Sequence, residues 1–190
     1  MIKKVVKKTK ETIVSVIEGA DDVLTAVREA IVNQVKGTVE DVGELSSAGI
    51  EVISSVVQGA LQGAQDVGKS VGSIAKETIQ GIVKGVSESG GDVFQAIDSS
   101  VSSAVTTASN IGADVGNVAV RSVEGAIKAA KELGVDAAKA TRTAAVSALQ
   151  AAEGIGTEAA STVKEALLSA ASLPRETIQK AFKDRKEDSN

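Results

Sequence analysis

Residues 92–157 decide the fold: DVFQAIDSSVSSAVTTASNIGA (92–113), DVGNVAVRSVEGAIKAAKELGV (114–135) and DAAKATRTAAVSALQAAEGIGT (136–157). They are three successive units of 22 residues, and a partial fourth begins at Glu158. At matched places stand Val101, Val123, Ala145 and Leu167, then Ala104, Ala126, Ala148 and Ala170. Near each unit's end an apolar residue precedes glycine, as Ile111-Gly112, Leu133-Gly134 and Ile155-Gly156. Upstream the aspartate that opens each unit recurs less evenly, as Asp22, Asp41 and Asp66, at steps of 19, 25 and then 26 residues to Asp92. A repeat of this length is the signature of a helical array.

Twenty-two residues are two elevens, and an eleven-residue period is three turns at about 3.67 residues each, close to the ~3.6 of an α-helix. Apolar side chains at that spacing stay on one stripe, while Asp114, Lys128, Lys131 and Glu132 fall on the opposite side. An amphipathic helix has this pattern. The expected class is all-α, with long amphipathic hendecad-repeat helices forming an elongated helical hairpin or bundle. Gly90-Gly91, after Ser87-Glu88-Ser89 and before Asp92 as an N-cap, is the clearest break. It separates a helical half with a Lys-rich start (1–89) from the regular repeats (92–172). Weaker breaks between Gly43 and Gly49 and at Gly134 would give four helices instead. Pro174 starts a short last helix with Ile178, Ala181 and Phe182, followed by a frayed tail, so residues 173–190 form a separate end.

Small residues step by four along one sector of the stripe: Ala104, Ala108 and Gly112, then Ala126, Ala130 and Gly134, then Ala148, Ala152 and Gly156. Gly59/Gly63 and Gly81/Gly85 have the same spacing. Such residues allow a second backbone to approach closely, which would offset the ~1 kcal/mol that each helical glycine costs. The other reading is that the glycines weaken a chain that stays unordered until bound.

Composition excludes more than it specifies. Aromatics are limited to Phe94 and Phe182, and Val, Ile and Ala supply most of the apolar bulk. The net charge of −4 argues against nucleic acid as a partner. The absence of His, Cys, Tyr and Trp removes the usual base, thiol nucleophile and soft metal ligands. No enzyme, cofactor, metal or small-molecule substrate is therefore expected. Gly63-Ala-Gln-Asp-Val-Gly68-Lys69-Ser70 matches the phosphate-loop pattern, but that chemistry needs a preceding buried strand, and residues 56–62 continue the helical spacing. Gly154-Ile-Gly156 with Ala159 fits a dinucleotide fingerprint equally superficially. The acidic pairs Asp21-Asp22 and Glu40-Asp41 suit a solvated helix face.

The first segment has the strongest functional pattern. Ile2, Val5, Val6, Ile13 and Ile17 share a helical side, flanked by Lys3, Lys4, Lys7, Lys8 and Lys10. A basic amphipathic helix is drawn to anionic lipid, each Lys near the surface contributing roughly 1 kcal/mol. The alternative is a solvated helix end, although lysines at a helix N-terminus oppose its dipole.

With Lys8-Thr-Lys-Glu11, Ala75-Lys-Glu-Thr-Ile79 and Gly81-Ile-Val-Lys-Gly-Val86 in view, the chain resembles the eleven-residue repeat families. These are the synucleins, perilipins, exchangeable apolipoproteins and group 3 late-embryogenesis-abundant proteins. The resemblance implies extended helices on lipid surfaces or protection under water stress. The first expectation for function is thus a non-enzymatic protein that reversibly coats a membrane or lipid surface. The alternatives are a structural helical scaffold or coiled-coil oligomer packed through its Ala/Gly stripe, and desiccation protection. The expected partners are a lipid surface and further copies of the chain, and the expected location is cytoplasmic, peripheral to membrane or lipid bodies.

Overall fold

A computed structural model describes residues 2–42 and 47–188, and the chain is all-α over them. Its helices are α1 (Ile2–Gly19), α2 (Val23–Val42), α3 (Ser47–Asp66), α4 (Val71–Glu88) and α5 (Val93–Asn110). They continue as α6 (Val115–Leu133), α7 (Ala137–Ile155), α8 (Thr157–Ser169) and α9 (Arg175–Asp188). The helices are short, in contrast to the long hendecad helices expected. Each 22-residue unit is one helix plus a turn, and Gly90-Gly91 is one of a series of equivalent turns.

The turns explain the difference. Gly68, Gly90, Gly112 and Gly134, 22 residues apart, all have left-handed backbone, with φ of 68°, 76°, 71° and 68°. After each, the next amide bonds back across the helix end: Lys69 N to Ala64 O (2.9 Å), Gly91 to Val86 (2.9 Å), Ala113 to Ala108 (2.8 Å) and Val135 to Ala130 (3.0 Å). This is the Schellman termination, which satisfies the last carbonyls and stops the helix. Two residues beyond each glycine stands an N-cap, Ser70, Asp92, Asp114 or Asp136, whose side chain accepts an amide of the next helix's first turn. The recurring aspartate is therefore a helix starter at Asp22, Asp92, Asp114 and Asp136. Asp66 instead ends α3, and residues 43–46, where an earlier break was expected, lie outside the described residues.

The turns reverse the chain at each step, and the helices stack in two layers. Odd-numbered helices lie side by side in one, even-numbered helices in the other, and each helix also packs on its chain neighbours in the opposite layer. The core keeps a 22-residue register from α1 to α8: Ile13, Val35, Val57, Ile79, Val101, Val123, Ala145 and Leu167 are all buried. A parallel line, alanine at residues 60, 104, 126 and 148 and Ile82 between the first two, is also buried. Small and branched side chains suffice because each helix is covered on several sides by others only one side-chain layer away.

Candidate functional site

The lysine-rich α1 is the first element of the odd layer. Lys3, Lys4, Lys7 and Lys8 are exposed, Lys7 pairs with Glu11 at 3.7 Å, and Lys10 pairs with Asp66 on α3. Of the apolar residues expected to face lipid, Ile2 is exposed and the others are turned inward. Ile13 is fully buried, and Val5 and Val6 are half-buried.

The small-residue sector divides into two roles. Ala104, Ala108, Ala126, Ala130, Ala148 and Ala152 lie in the core with no exposed surface. Gly112, Gly134 and Gly156 are at helix ends, and a Cβ on any of them would meet nothing within 4 Å, so they are turn residues and bring no helices together. Close approach occurs elsewhere. A Cβ on Gly59 would lie 2.5 Å from the Val6 carbonyl, one on Gly81 2.9 Å from the Arg28 carbonyl, and one on Gly125 2.5 Å from the Lys76 carbonyl. Gly63 and Gly85 extend the first two contacts by one turn. Residues 59, 81 and 125 share one repeat position, which extending the core register upstream would have identified. In the same position Ser103 donates to Ser54 Oγ at 2.8 Å, and Ser147 bonds to Asp98.

The string from Gly63 to Ser70 is likewise structural. Gly63 packs on α1, Gly68 terminates α3, and Ser70 caps α4. Asp22 caps α2 by accepting the Thr25 amide at 3.2 Å, and hydrogen bonding from the Thr25 side chain, then from its amide, lowers the pKa of Asp22. The side chains of Glu40 and Asp41 lie outside the described residues. Among the described residues no group of three or more His, Cys, Asp or Glu could hold a metal, and no helix is long and apolar enough to cross a membrane.

Polar side chains tie α2 to α4 and α4 to α6. Arg28 lies 3.6 Å from Glu77, Lys36 2.9 Å from Glu88 and Lys76 3.1 Å from Glu124. Gln80 donates to both carboxylate oxygens of Glu132 at 3.0 Å. Glu77 is buried with Oε2 lacking a hydrogen bond, and burial raises its pKa despite the opposing charges of Arg28, Lys128 and Lys76. Burial alone would also raise Glu124, but hydrogen bonds from Ser172, Lys76 and Arg121 outweigh it and lower the pKa.

An open groove of ≈ 670 Å³ lies at the N-terminal end, between α1 and α2. Lys4 and Lys8 form one wall, Ala30, Asn33 and Gly37 the other, and Val52 of α3 contributes to its lining. Its lining is mostly apolar. Neither lysine is in an ion pair with any described residue. Gly37 is in register with Gly81 and Gly125, yet a Cβ on it would meet nothing within 4 Å.

No protein-family model matches the chain, and no curated protein matches it. Among solved structures it is similar to the crystal structure of the de novo designed helical repeat protein DHR7. The TM-score is 0.52 at 14% identity, covering 98% of this chain and 97% of that one. The likeness is one of fold, and it spans both chains nearly end to end: this chain has a helical-repeat architecture.

Proposed function

We propose that the protein is a non-enzymatic helical-repeat scaffold, a rigid stack whose surfaces hold other macromolecules. The observation that carries this reading is the fate of the apolar stripe. It is covered by neighbouring helices, and among the described residues only Ile2, Leu24 and Ile155 are exposed large hydrophobics. A helix that coats lipid needs that stripe free, because burial of apolar area supplies its affinity. Here coating would first require the stack to open, at the cost of the core. The charged bridges between even helices favour the same reading, since they fix the register of neighbours and leave the outer face polar.

The deciding experiment is circular dichroism with heating, in buffer and with anionic phosphatidylserine vesicles, alongside light-scattering mass. Cooperative melting of a helical protein in buffer, unchanged by vesicles, supports a scaffold. Helicity that appears only with vesicles, or a protein that floats with them, rejects it in favour of lipid coating.

A further inference from the structure

The two outer faces of the stack differ in charge. On α3, Gly59 and Gly63 meet α1 while Val57, Leu61 and Ala64 enter the core. The helical period therefore leaves Gln58, Gln62 and Gln65 facing out of the odd layer. Ser102, Thr106 and Ser109 hold the same repeat positions on α5. In the even layer those positions carry Lys84 on α4 and Glu124, Lys128 and Lys131 on α6. Residues 52–65 and 99–113 contain no charged side chain, although the chain has 21 basic and 25 acidic residues. Charge is thus dense on one outer face and absent from the middle of the other. Among the described residues, Gln58, Gln62, Ser102 and Thr106 have no side-chain partner. Further repeats at either end would lengthen both layers and leave this face uncovered.

We propose that the α3–α5 face pairs with the same face of a second copy, about a two-fold axis that crosses the helices. The inference rests on the scaffold reading and names its partner. Charged residues are depleted at the centre of an interface, and this patch has none. Hydroxyls and carboxamides both donate and accept, so each can bond to its own counterpart across a two-fold. A foreign partner would find no charge of either sign to match.

The flanking helices choose the orientation. On α1 the exposed Lys3 and Lys7 lie in the first half, and the exposed Glu11 and Glu18 in the second. An axis across the helices lays each helix antiparallel on its copy and brings Lys7 towards Glu18 of the second copy. An axis along the helices would instead set α1 over α7 and Lys7 against Lys139, which holds the same repeat position. Like charges there disfavour it. Area suffices as well. Two helices about 30 Å long and about 10 Å apart present roughly 600 Å² per copy, the flanking α1 and α7 about as much again, against about 800 Å² in a standard interface.

The test is the mass of the full chain in light scattering and sedimentation at rising concentration, which should show a monomer–dimer equilibrium. Gln58 and Ser102 lie mid-helix at one repeat position, where each would meet its counterpart. Q58E/S102E and Q58K/S102K should each weaken self-association at least tenfold, and an equimolar mixture of the two should restore the dimer. S73E/S161E, which adds the same charge to the even layer, should leave it unchanged. Thr106→Glu, at an exposed position, repeats the test if either pair fails to fold.

A monomer at millimolar concentration, or a dimer that Q58E/S102E and Thr106→Glu leave intact, would overturn the proposal. So would a mixture of the two charge variants that stays monomeric. These failures leave the scaffold reading intact wherever the protein still melts cooperatively without lipid. Helicity that appears only with vesicles would reject the scaffold itself.

Discussion

The carbonyl of Lys76 occupies the space a side chain on Gly125 would need, 2.5 Å from the ideal Cβ position. The contact is backbone to backbone, so α4 cannot yield without moving as a whole. Gly125→Ala is expected to destabilise the fold by about 1–3 kcal/mol through overpacking. Gly154→Ala, in open helical space, should stabilise it by up to ~1 kcal/mol. Urea denaturation of both variants checks the pair, and equal effects would remove the close-approach argument.

The turns predict a second pattern. Gly90 and Gly112 have the same left-handed backbone, at φ of 76° and 71°. Gly90→Ala and Gly112→Ala should each cost about 1–2 kcal/mol, and by similar amounts. A chain built as one long hairpin would tolerate the change at residue 112 and suffer only at residue 90.

Asp114 accepts the Asn117 amide at 2.9 Å and starts α6. Asp114→Ala should cost about 1 kcal/mol, the usual value of an N-cap. Asp114→Asn should retain most of it, because the amide oxygen still accepts. Thermal melts of the two variants distinguish capping from a general charge effect.

Ile79 is fully buried, with the full core on every side. Ile79→Ala is expected to cost about 2–5 kcal/mol and to lower the midpoint of a single transition. A loss confined to α4, seen as local hydrogen exchange without a shift in that midpoint, would contradict a continuous core.

Glu77 gives a pH test. Its folded pKa is raised above the ordinary 4.5, first by burial, against the pull of Arg28, Lys128 and Lys76 and with some help from Glu132. The contribution of such a group is complete below its unfolded pKa and is lost as pH rises through the folded value. Glu77→Gln does not titrate, so its stability relative to the parent should increase between pH 4 and pH 7. Glu124 works in the opposite sense, since its lowered pKa makes its contribution present above the ordinary value and lost on acidification. Urea midpoints of the parent and Glu77→Gln at the two pH values check the sign. A constant difference would place the carboxylate in contact with water.

The helical state was legible from Val101, Val123, Ala145 and Leu167, and so was the burial of the alanines at residues 104, 126 and 148. Helical periodicity and a core face are local properties, written at fixed spacing in each unit. The lysines at residues 4 and 8 stood out by charge alone. Their groove did not, because its other wall is Gly37, and a glycine's neighbours are set by elements distant in sequence. The same holds for small-residue spacing, which marks where a backbone can approach and leaves open which one does.

By itself the sequence determined the 22-residue period, the helices and the residues that avoid water. Only the tertiary structure decided whether those units form one rod or a stack. The physical reason is that 22 residues make about six whole turns, so a continuous helix and a chain of short ones keep the same stripe. The pattern that separates them is a left-handed glycine two residues before an N-cap, at 68/70, 90/92, 112/114 and 134/136. Each of those stops is stable because the helix it ends folds back onto neighbours that cover its apolar face.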